Sequence, residues 1–119
     1  MPLARPRIGK FGGYNPTAKK IDGARLYLKS AYSPVPLSSI AIRLHLIFTM
    51  PMPKSWSKHV RQEADGTPHI GRPDLDNLVK FTCDVGNGVL WDDDCTIYII
   101  NASKRWGVTG STDIAIQTG

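Results

Sequence analysis

The chain has 119 residues, 41% of them hydrophobic and 21% charged, with a formal net charge of +5 and a pI near 9.4. That is an ordinary globular composition at a length suited to one compact domain, residues 1–119, with one core and little room for a second. No apolar run approaches the ~20 residues that span a bilayer, and the N-terminal MPLARPRIGKFGGY is charged without the apolar stretch of a secretory signal, so the expectation is a cytoplasmic protein with no membrane partner.

In chain order, residues 3–14 form a basic, Gly-containing segment, an irregular strand or loop that ends in the turn signal Asn15-Pro16-Thr17. Thr17 can cap a helix in which Ile21, Ala24, Leu28 and Ala31 recur at helical spacing and Gly23 is a weak point. Pro34 and Pro36 break it. Ser39 to Met50 alternates, with Ile40, Ile42, Leu44, Leu46 and Phe48 on one face, and predicts a strand. After Pro51-Met52-Pro53, residues Lys54 to Ala64 predict a short basic helix with Trp56 and Val60 inward. A second helix is expected from about Asp74 to Val85, with Leu75, Leu78, Val79 and Phe81 or Cys83 as its apolar side, followed by the turn dipeptide Asn87-Gly88. Thr96–Asn101 and Thr112–Thr118 read as strands joined by a polar bend that includes Lys104, Arg105 and Gly107. The sum is an α+β fold, a small mixed β-sheet of three to four strands flanked by two to three helices.

Charge is distributed unevenly. Residues 1–61 hold eleven Lys or Arg and one acid, a balance of +10, whereas residues 62–119 hold four and nine, a balance of −5. Six of those acids fall between Asp74 and Asp94, in DLDNLVKFTCDVGNGVLWDDD. Carboxylates so crowded repel one another unless a cation lies among them. A basic half attracts a polyanion and an acidic half holds metal beside it, which points to nucleic acid. Scattered caps and solvated faces are the plainer account of the same charges.

The ligand types narrow the metal. Cys83 and Cys95 lack CxxC spacing, and His45, His59 and His69 are not paired at ligand spacing, which argues against zinc. Oxygen ligands favour Mg²⁺, with Mn²⁺ as the alternative. An EF-hand beginning at Asp92 fails, since its sixth and twelfth positions would be Ile97 and Ser103. Asp74 and Asp76 can converge on one ion if the approach is extended, which Pro73 favours, with the helix starting at or just after Asp74. The helix N-terminus adds positive potential there. Lys80 follows Asp76 by one turn and is placed to hold an attacking water or to offset charge in the transition state. Taken singly, Asp74 reads equally as an N-cap, and Lys80 as a surface partner of Asp76 worth about 0.2–0.5 kcal/mol. Of Asp92, Asp93 and Asp94, only one or two can face a common site, the alternative being a solvated turn.

PDLDNLVK, followed by a helix and then NGVLWDDD and an apolar strand, resembles the RusA family of Holliday junction resolvases, especially its phage and prophage members. RPRIGKFGGYNP and MPMPKSW extend the likeness more weakly over most of the chain. The resemblance implies a homodimeric, Mg²⁺-dependent endonuclease that nicks two opposed strands of a four-way DNA junction in recombination or repair. It also implies that Asp74, Asp76, Lys80 and Asp94 are catalytic, with Asp74, Asp76, Asp93 and Asp94 holding metal. Arg5, Arg7, Lys10, Lys19, Lys20, Lys54, Lys58 and Arg61 are the candidate DNA contacts, and Tyr14, Trp56 and Trp106 either stack on unpaired bases or pack in the core. Competing expectations are a branched-DNA-binding module without turnover and a nuclease for other branched DNA or RNA.

Overall fold

In the computed structural model of the chain, the residues described are 3–4, 7–8, 23–26, 28–29 and 35–118. Two short strands, β1 (Leu3–Ala4) and β2 (Arg7–Ile8), and three long ones, β3 (Ile42–Pro51), β4 (Ile97–Gly107) and β5 (Ser111–Thr118), form one sheet. β3 is central, antiparallel to β5 and parallel to β4, and β1 and β2 pair antiparallel with the far side of β5. Helical residues 23–26 and 28–29, α1 (Lys58–Ala64) and α2 (Leu75–Gly86) accompany this mixed sheet, so the α+β expectation holds. No helix among the described residues is long and apolar enough to cross a membrane.

The alternation in β3 sets the layers. Ile42, Leu44, Leu46 and Phe48 are buried, as are Ile114 and Ile116 across the β5 ladder, while Arg43, His45 and Ile47 on the opposite face are only half-buried. Against this apolar face lie Leu78, Phe81, Cys83 and Val85 of α2, with Ala24 and Leu28 of the first helical segment. The strand begins at Ile42 instead of Ser39 because Ser39 sits in a bend at φ 53. Thr17, Ile21 and Ala31 lie outside the described residues.

Two expectations are corrected. The polar stretch around Lys104 and Arg105 is not a bend, because β4 runs on to Gly107. There it pairs with β3 up to Pro51↔Gly107, and on its other side Gly66 N–H and His69 N–H donate to the carbonyls of Trp106 and Lys104 (2.9 and 3.1 Å). Backbone pairing on both edges makes the strand regardless of side-chain polarity. Helix α1 starts late, after Ser57, whose hydroxyl accepts the N–H of Val60 at 3.3 Å. None of its residues is buried, and Val60 is 42% exposed instead of inward. Trp56, ahead of the helix, is half-buried against Trp106, with ring centroids 4.8 Å apart.

The turn after α2 is a close-packed device. Trp91 is fully buried, and its ring lies so close over Gly86 that a β-carbon there would overlap the indole. Gly88 carries φ +79, and its N–H donates to the Trp91 carbonyl at 2.7 Å, while the indole Nε1–H donates to Asn87 Oδ1 at 2.8 Å. Leu37 and Asp92 tie the loop to residues 35–37 through Leu37 N–H to Leu90 O and Asp92 N–H to Leu37 O, 3.0 and 2.9 Å. Gly86→Ala therefore displaces a buried tryptophan and lowers stability by about 1–3 kcal/mol, measured as a drop in the urea midpoint at unchanged m-value.

Candidate active site

Helix α2 carries the first group of acids. Asp74 is its N-cap, extended at φ −67 and ψ 145, and its side chain makes no capping hydrogen bond, so the carboxylate occupies the cap position without serving as the cap. The helix starts just after it, one of the two starts that Pro73 allows, and the Arg72–Pro73 peptide before it is cis. Asp76 lies in the first turn, and Asp74, Asp76 and Lys80 are all exposed. One turn beyond Lys80 comes Asp84, half-buried on the same flank and about 12 Å along the axis from Asp76.

Asp84 is where the second group arrives. The Trp91 turn delivers Asp92, Asp93 and Asp94 beside the C-terminal half of α2, and a single 3₁₀ turn, Asp94–Thr96, sorts them. Asp93 caps that turn, Oδ1 accepting the N–H of Cys95 at 3.1 Å, and Asp92 is exposed. Asp94 is half-buried, and its carboxyl is held above the usual carboxylate range by burial first, then by the hydrogen bond and charge of Asp93 and by the charge of Asp84; a hydrogen bond to Asn87 partly offsets these. Asn87 thus serves Trp91 and Asp94 together. The same two acids act on Cys83, whose thiol is pushed up to about 11 by burial, then by Asp94 and Asp84.

The structure thus brings Asp94 to Asp93, Asp84 and Asn87, and sets Asp74 and Asp76 at the other end of the α2 flank, with Lys80 between. Among the described residues no group of three or more His, Cys, Asp or Glu side chains is arranged to hold a metal ion. The available donors are nonetheless carboxylate oxygens, the ligand type a hard divalent cation takes. Asp84 and Asn87 received no role from the sequence. Helical spacing carried the signal for Asp84, four residues beyond Lys80 and eight beyond Asp76; nothing local carried one for Asn87.

Arg25 secures this end of the helix. Its Nη2–H donates to Asp84 O at 2.6 Å and its Nε–H to Val85 O at 3.5 Å, placing a cation on the C-terminal carbonyls. Of the candidate DNA contacts, Lys54, Lys58 and Arg61 line one hollow of about 390 Å³ with Met52, Trp56 and Val108, and Arg61 Nη1–H donates to Pro53 O at 3.1 Å. Arg7 lies in β2, in register with Asp113. Arg5, Lys10, Tyr14, Lys19 and Lys20 fall outside the described residues.

Residues 1–117 match the family model described as endodeoxyribonuclease RusA. The match spans nearly the whole chain, which therefore belongs to the RusA family, enzymes that cut DNA at Holliday junctions. No curated protein matches it.

Neither cysteine is in a disulfide; Cys83 is buried and Cys95 exposed. Because only a thiolate reacts, Ellman's reagent at pH 8 titrates Cys95 alone in the folded protein and both cysteines in guanidinium; rapid reaction of two thiols in the native state contradicts the burial described.

Proposed function

We propose that this protein resolves four-way DNA junctions by paired nicks assisted by a divalent cation, acting as a homodimer in recombination or repair within the cytoplasm of a bacterial or phage-infected cell. The observation that carries the reading is the acidic flank of α2: exposed Asp74 and Asp76 at the helix start, Lys80 one turn on, and Asp84 meeting Asp94, whose carboxyl resists ionisation beside its like-charged neighbours.

Asp74 and Asp76 would hold the cation, Mg²⁺ or Mn²⁺, at the helix start, with Asp94 beside Asp93 and Asp84 as a separate carboxylate group at the far end of α2. Bound there, it supplies Lewis-acid polarisation of the scissile phosphodiester and offsets repulsion between phosphate and carboxylates. The chain's own groups do the rest. The helix start offers free N–H groups and positive potential to a phosphate oxygen. Lys80 brings a mobile ammonium within reach of the same flank, where it can orient the attacking water or offset charge that builds in the transition state. Arg7, Lys54, Lys58 and Arg61, with Arg5, Lys10, Lys19 and Lys20, hold the arms through phosphate contacts, and so set position without reading sequence. A two-fold junction calls for two such sites, which an isologous dimer supplies.

The test uses a synthetic four-way junction with and without Mg²⁺. Wild-type protein nicks two opposed strands only with the cation, and Asp76→Asn loses nicking by about 100-fold or more while retaining or improving its mobility shift, because a charge facing the phosphates is removed. Undiminished nicking by Asp76→Asn refutes the assignment; a mobility shift without nicks by wild-type protein under all cation conditions makes the protein a binding module. Sedimentation at micromolar concentration checks the dimer.

A further inference from the structure

The segment that delivers Asp74 contributes little to the core. Ile70 is 94% exposed, Gly71 and Arg72 are exposed, and Pro73 is half-buried, so apolar burial does not fix the path of residues 70–72. Polar contacts from one residue of β4 do. The Lys104 carbonyl accepts the N–H of His69 at 3.1 Å, and the Lys104 ammonium donates to the carbonyls of Gly71 at 2.5 Å and Pro73 at 2.7 Å. The last of these belongs to the peptide that joins Pro73 to Asp74. Lys104 itself stands opposite Phe48 in the β3–β4 ladder, so the anchor is part of the sheet. His69, buried and edge-on to Trp106 with centroids 4.3 Å apart, closes the other end of the segment, and its imidazole is held below its usual range by burial and by the nearby Lys104 charge.

We propose that Lys104 is a positioning residue for the catalytic helix start: by holding the Gly71 and Pro73 carbonyls it fixes the direction in which the Asp74 and Asp76 carboxylates leave the chain. This rests on the reading of those two acids as catalytic. The argument is geometric. The Asp74 side chain makes no capping hydrogen bond that would orient it, so its aim depends on the backbone entering the helix, and Lys104 grips that backbone one peptide before. An ammonium suits the task because it offers three donors and no acceptor, enough for two carbonyls together, with charge assistance.

The experiment compares Lys104→Met, Lys104→Arg and Asp76→Asn in single-turnover junction nicking, junction affinity and amide hydrogen exchange. Lys104→Met is expected to slow nicking by about 10- to 100-fold, the scale of an ångström-sized misplacement, with junction affinity unchanged. Exchange of the Leu78 amide, which makes the first helical bond to Asp74 O, is expected to accelerate while β3 amides keep their protection. Lys104→Arg, which restores a cation with several donors, is expected to recover most of the rate. Lys104→Leu, a neutral arm with no donor, takes the place of the Met variant where that variant does not fold, with the same ordering of rates. Wild-type nicking by the neutral variant, or equal loss in the Arg variant, overturns the positioning role; wild-type nicking by Asp76→Asn overturns the site itself, and the two failures are told apart by which variant stays active.

Discussion

The seating of Trp91 against Gly86 is the contact on which the acidic site depends. It fastens the end of α2 to the strand-bound chain that follows, the segment that carries Asp92, Asp93 and Asp94. Burying an indole calls for a partner for its N–H, and Asn87 meets that demand while also reaching Asp94. One residue therefore links a packing requirement to an electrostatic one. Burial first, and then the charges of neighbouring acids, raise both the Asp94 carboxyl and the Cys83 thiol.

Much of this was legible in the sequence because the relevant signals are local. Alternation from Ile42 to Phe48 reports which face of β3 meets the core, and Pro73 reports where α2 can begin. The acids announced themselves through mutual repulsion, which needs no knowledge of the fold. Contacts made at a distance left no such trace. Nothing in Lys104 or Arg105 says strand, because the partners that make it one are β3 and residues 66–69. Val60 has the spacing of a core residue but lies on a helix that buries nothing. Asp84 had the right period yet stood between two more conspicuous groups, and only its approach to Asp94 gives it significance.

The two ends of α2 are each held by a cation acting on main-chain carbonyls. Arg25 takes the carbonyls of Asp84 and Val85, and Lys104 takes those of Gly71 and Pro73. Engaging carbonyls anchors both ends of the helix through the main chain.

The ladder between β1 and β5 carries a kinetic implication. Leu3 faces Gln117, and Ile42 faces both Ile97 and Thr118, so the sheet is assembled almost wholly from partners remote in the chain. Each such pairing must close a long loop before any contact rewards it. High contact order of this kind places folding on the slow side for a chain of this size, with strand edges uncovered while they wait for their neighbours.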